Sequence, residues 1–207
     1  LKTYKAIPVF KQLDEKYGML NVTGIIFGDR DELYVSTANE GLIIIQPDGT
    51  FIKIVKDEFQ RNSLISNEIN QLFKDYFDNI WIATARGISS FHPTYQGILG
   101  ISKSWDLDHG LVSDNIWSIA ENSSGRYLYI GTNVGVSRYD RSDRKFTHFT
   151  KPRESSALEN LVLAIQWISD KELLIGCDDG LFRLTIDGGK SIFKKLDFIP
   201  EYINKIH

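Results

Sequence analysis

The fold is decided by Leu111-Val112-Ser113-Asp114-Asn115-Ile116 and, shortly after it, Leu128-Tyr129-Ile130-Gly131-Thr132-Asn133-Val134-Gly135-Val136. The second phrase is three apolar residues, a small residue and a threonine, leading to a glycine. It recurs as Leu33-Tyr34-Val35-Ser36-Thr37, Ile80-Trp81-Ile82-Ala83-Thr84 and Leu173-Leu174-Ile175-Gly176-Cys177. The glycines that follow, Gly41, Gly87, Gly135 and Gly180, lie 46, 48 and 45 residues apart. A second landmark runs ahead in step, an apolar pair three residues apart: Val22/Ile25, Ile69/Leu72, Ile116/Ile119, Val162/Ile165 and Ile203/Ile206. Two of these pairs follow nearly the same words, Leu64-Ile65-Ser66-Asn67 and Leu111-Val112-Ser113-Asp114. Two landmarks in phase define an internal repeat, and a repeat decides the fold before any local detail does.

Within each unit the punctuation is that of β-structure. Turn clusters at Gly28-Asp29-Arg30-Asp31, Asp78-Asn79, Asn122-Ser123-Ser124-Gly125 and Ser169-Asp170 end the first strand. The repeated glycine follows the second strand, where a short reversal commonly needs positive φ. Pro47-Asp48-Gly49, His92-Pro93, Arg141-Ser142-Asp143 and Asp187-Gly188-Gly189 follow the third. The second strand is continuously apolar, so both its faces are expected to be buried. Its small residue and threonine suit a place where strands converge on an axis. Four strands in roughly 45 residues is the dimension of a propeller blade. The expected fold is all-β, a β-propeller of four-stranded blades, present as an incomplete part of a larger one.

The units divide the chain into outer strands of a preceding blade at 1–17 and four blades at 18–63, 64–108, 109–156 and 157–198. A first strand of a following blade is expected at 199–207. Leu1, Tyr4, Phe10 and Leu13 take the places of Val136, Tyr139, Phe146 and Phe149. The competing reading is a five-blade ring closed by pairing the two ends. Its last blade would lack a second strand and expose edges, which proteins avoid. A fragment is the expectation.

Composition narrows the class. Of 207 residues 42% are hydrophobic and 25% charged, an ordinary globular balance. A net charge of −3 with no Lys/Arg cluster speaks against nucleic acid as a partner. Apolar runs such as Leu42–Ile45 are too short to span a bilayer, so no membrane contact is expected of this segment. One cysteine, Cys177, permits no intrachain disulfide and no cysteine-based metal site.

The pattern Leu-Val-Ser-Asp-Asn-Ile-x-x-Ile, then Gly125 and Leu128-Tyr129-Ile130-Gly131-Thr132-x-x-Gly135-Val136-x-x-Tyr139-Asp140, resembles the two-component regulator propeller repeat. Leu64 to Phe91 matches nearly as well, with Trp81 at the aromatic position. The unit from Val162 departs from the pattern, with Cys177 for threonine and Leu158-Glu159-Asn160 for the serine phrase. The first unit has one extra residue between Thr37 and Gly41. The resemblance implies the periplasmic sensor region of a bacterial hybrid histidine kinase, responding to carbohydrate-derived ligands. An oligosaccharide or other small ligand and a second copy of the chain are the partners it implies.

No catalytic residues, metal ligands or cofactors are expected. His92, His109, His148 and His207 lack zinc spacing. Ser66 and Ser113 sit in a repeated phrase, which points to a structural hydrogen bond and not a nucleophile. The acidic residues lie in turns, where local backbone bonding accounts for them, and Asp187-Gly188-Gly189-Lys190 is a hairpin turn and not a phosphate loop. Ligand candidates come from position. The loop leading into a first strand and the turn after a second strand open on one face of a propeller. That face is expected to carry Glu40, Arg86, Asn133, Asp178 and Asp179, with His109 near a strand start. Trp105 and Trp117 are further stacking candidates, Trp117 being expected to pack in the core. A propeller enzyme, lyase or glycoside-active, and a purely protein-binding propeller are the alternative functions.

Overall fold

The structure is a computed structural model that describes residues 13, 15–16, 18–60, 62–94, 97–150, 161–187 and 190–196. Sixteen strands form four antiparallel sheets, each a meander in chain order. The first sheet holds β1 (Val22–Phe27), β2 (Leu33–Thr37), β3 (Leu42–Ile45) and β4 (Phe51–Ile54). The second holds β5 (Ile69–Lys74), β6 (Ile80–Thr84), β7 (Gly87–Phe91) and β8 (Leu99–Ile101). The third holds β9 (Ile116–Glu121), β10 (Tyr127–Thr132), β11 (Gly135–Asp140) and β12 (Lys145–Phe149). The fourth holds β13 (Val162–Ser169), β14 (Glu172–Cys177), β15 (Gly180–Asp187) and β16 (Lys190–Lys195). Four four-stranded antiparallel sheets agree with the expected all-β fold. The strand expected at 199–207 lies outside the described residues, as do all but Leu13, Glu15 and Lys16 of 1–17.

The core lies between sheets. Tyr34, Leu42 and Ile44 of the first blade pack with Leu64, Ile69, Leu72, Ile80 and Ile82 of the second. Trp81, Ala83 and Ile88 likewise join Leu111, Ile116, Ile119, Leu128 and Ile130, and Tyr129, Val136 and Phe149 join Val162, Ile165, Leu173 and Ile175. Alternate residues of a second strand thus face opposite neighbours, which is why that strand reads as continuously apolar. First strands pack in series, β1 on β5, β5 on β9 and β9 on β13. Among the described residues the sheets do not close into a ring.

Two local expectations need a different reason from the one convergence supplies. At Gly131 the small residue before the threonine is confined from two sides. A Cβ there would collide with Ser118 Oγ of its own blade and lie 2.8 Å from Val162 Cγ1 of the next. The threonine itself is a turn clamp. Thr84 Oγ1 donates to the Gly87 carbonyl at 2.7 Å and accepts the Arg86 N–H at 3.1 Å. Thr37 and Thr132 repeat the arrangement. Gly135 sits there with φ of 139°, and a Cβ would meet the Phe149 carbonyl oxygen at 2.4 Å.

Candidate functional site

The face that carries the turns after the second strands is built by repeated hydrogen bonds. The residue after each clamp threonine donates its N–H to the residue preceding the same blade's first strand. These bonds are Ala38 to Asn21 at 2.9 Å, Ala85 to Glu68 at 3.2 Å and Asn133 to Asn115 at 3.3 Å. The Leu-x-Ser phrase completes the frame. Ser66 Oγ accepts the Glu68 N–H and Ser113 Oγ the Asn115 N–H, so both serines act structurally as the repetition implied. Asn67 and Asp114 accept the N–H of Lys56 and Lys103, fixing the chain as it leaves the outer strand.

A feature absent from the sequence reading sits beside this frame. In every described blade the ladder between first and second strands slips at an equivalent place, between Val22 and Gly24, Ile69 and Gln71, Ile116 and Ser118, and Val162 and Ala164, and the fourth slips again between Trp167 and Ser169. Thr23, Asn70, Trp117 and Leu163 are the extra residues, and such a bulge re-aims its side chain. Asn70 Nδ2 reaches the Ile116 carbonyl of the next blade at 2.6 Å, and Gln71 Oε1 accepts the Ile119 N–H at 2.6 Å. Trp117 occupies the same slot half-buried. The phase of the Ile116/Ile119 pair carried this signal, since a regular strand would put residues three apart on opposite faces.

The predicted residues divide into two groups. Glu40, Arg86, Asn133, Asp178 and Asp179 all occupy turns on this one face, Asp178 and Asp179 sharing the turn of the fourth blade and the others lying one to a blade. The Glu40 carboxylate pairs with Lys53 Nζ. The Asn133 Oδ1 accepts from Ser113 Oγ at 2.5 Å. The Arg86 guanidinium is exposed. Asp178 Oδ1 is buried and without a hydrogen-bond partner among the described residues, as are Asn115 Oδ1 and Trp117 Nε1. A buried orphan acceptor is costly and calls for a donor.

His109 is not with them. Its loop runs out along β12, where Phe146 N–H bonds the Asp108 carbonyl at 2.8 Å and His148 Nε2 donates to the Leu107 carbonyl at 2.9 Å. His109 Nδ1 lies 2.8 Å from Asp106 Oδ2, and that hydrogen bond holds the Asp106 carboxyl below its ordinary range. Trp105, on the same loop, is 99% exposed. Ser113 and Asn115, and not His109, make the contacts at the lead-in to β9. Among the described residues no group of three or more His, Cys, Asp and Glu is placed to hold a metal ion. No helix there is long and apolar enough to cross a membrane.

Comparison with known proteins agrees with this architecture. The family model "Two component regulator propeller" matches residues 63–86, which run from the serine phrase through the second strand of one blade. No curated protein matches the chain. Among solved structures, the extracellular domain of the hybrid two component system BT3049 from B. thetaiotaomicron is 22% identical, with a TM-score of 0.75 over 88% of this chain and 25% of that one. The extracellular domain of BT4673 from the same organism, in one of its structures, is 18% identical with a TM-score of 0.71 over 90% of this chain and 24% of that one. The chain thus spans about a quarter of the length of these solved chains. Residues 63–86 match the two-component regulator propeller repeat, in a stack of sheets whose fold those extracellular domains share.

Proposed function

We propose that this chain is the sensing segment of a bacterial two-component signalling protein, held outside the cytoplasm, and that its turn face receives a carbohydrate-derived ligand. It performs recognition and not catalysis. The observation that supports this reading most is the contrast within the turns. One hydrogen-bonded frame is repeated in the first three blades, yet its turns present an acid at Glu40, a base at Arg86 and an amide at Asn133, and the corresponding turn of the fourth blade carries two acids, Asp178 and Asp179. A constant scaffold with differing tips is how loops acquire specificity. The orphan Asp178 oxygen suits a hydroxyl donor, and a polyhydroxylated ligand offers several.

The test is thermal denaturation of the complete propeller with a panel of mono- and oligosaccharides. A true ligand at a hundred times its Kd stabilises by about 2.7 kcal/mol. The expected result is a rise in Tm that Asp178→Ala removes. A panel that leaves Tm unchanged throughout sinks the carbohydrate reading.

A further inference from the structure

Among the described residues the inner face of the first blade is uncovered. In the other three blades the apolar pair of the first strand is buried: Ile69 and Leu72, Ile116 and Ile119, Val162 and Ile165. In β1 the corresponding Val22 and Ile25 are 41% and 52% exposed. What covers the other pairs is the second strand of the preceding blade, since β2 packs on β5, β6 on β9 and β10 on β13. Each of those strands brings one aromatic ring into the shared core. Tyr34 clusters with Ile69 and Leu72, Trp81 with Ile116 and Ile119, and Tyr129 with Val162 and Ile165.

The outer half of the same face is already covered. Leu13 is fully buried with Val35, Ile43 and Ile45. Phe149, from the outer strand of the third blade, fills the equivalent place against Leu173 and Ile175 of the fourth. Leu13 therefore stands where an outer-strand residue stands, and only the region of a second strand remains uncovered.

We infer that Val22 and Ile25 are the docking surface for one more blade of this repeat, whose second strand sets an aromatic side chain over them. The three interfaces inside the chain are the template for it. A second copy of the chain would instead bring β14, which carries the aliphatic Leu174 at the aromatic position, so a blade from outside these residues is the better fit. The inference rests on packing and stands apart from what the turn face binds.

An Ile25→Cys substitution tests it, because the native Cys177 is fully buried and gives little background. In the 207-residue chain at low concentration the new thiol should be alkylated as an exposed group. In the complete gene product, alkylation should slow by about a hundredfold or more, as for a site reached only by local opening. Equal, fast alkylation in both overturns the inference. Protection that appears in the short chain as its concentration rises assigns the surface to a second copy and also overturns it. As a second readout, Ile25→Glu should lower the Tm of the complete protein by several degrees while barely moving that of the short chain. Equal shifts in the two would count against the docked blade.

Discussion

Arg141 and Asp75 meet at 2.5 Å across the boundary between the third and second blades. The Asp75 side chain is wholly buried and also accepts the Trp81 indole N–H at 2.6 Å and the backbone N–H groups of Phe77 and Asn79 at 2.9 Å. Arg141 in turn pairs with Glu121 at 2.5 Å, donates to the Gly125 carbonyl and lies over the rings of Phe77 and Trp81. These groups sit at the end of the sheets opposite the clamp-threonine turns. The second and third blades are thus held together at that end by a shared charge cluster.

Removing one partner of a buried pair leaves an uncompensated charge. Asp75→Ala should cost about 3–5 kcal/mol. The denaturant midpoint measures it, and a loss under about 1 kcal/mol would show the cluster to be solvated in effect.

Trp81→Phe keeps most of the ring in the core and deletes the indole donor to Asp75. Its cost should be about 1–3 kcal/mol, that of a hydrogen bond to a buried charged group. A double-mutant cycle with Asp75→Asn should be strongly non-additive, because the two side chains share one network. Additive losses would separate them.

Gly135→Ala should destabilise by at least about 1–3 kcal/mol from backbone strain alone. Gly49→Ala should cost less, since Gly49 also has positive φ but open space around its Cβ. Equal losses at the two sites would mean that crowding by the Phe149 carbonyl is relieved cheaply.

Acid should loosen one hairpin selectively. Hydrogen bonds from Arg126 hold the Asp140 carboxyl below its ordinary range against a smaller effect of desolvation. A depressed folded pKa means that the stabilisation is complete above the ordinary value of about 3.9 and is lost as pH falls through the folded one. Between roughly pH 5 and 2, Asp140→Asn should therefore show a flatter fall of Tm than the native chain. Parallel curves would remove Asp140 from the acid response.

The blades were legible because their signals are local and repeated. Glycine before the third strand, turn clusters and a solidly apolar second strand need only a few adjacent residues each. His109 was placed wrongly by the same logic. Its distance from the next strand suggested the turn face, but bonds from Phe146 and His148 to the two residues before it draw the loop along β12. Arg141 read only as part of a hairpin turn, because its partner Asp75 is 66 residues away and at a different place in the repeat.

Sequence alone determined the number of described four-stranded units, the order of their strands and the recurrence of the threonine, since each depends on a period that the backbone imposes on neighbouring residues. Tertiary structure decided the rest: which side chains meet between blades, where each bulge aims its residue, and that Val22 and Ile25 lack the cover their counterparts have. Those outcomes depend on how one sheet packs on the next, and a repeat specifies the unit without specifying which exceptional side chains will face each other across it.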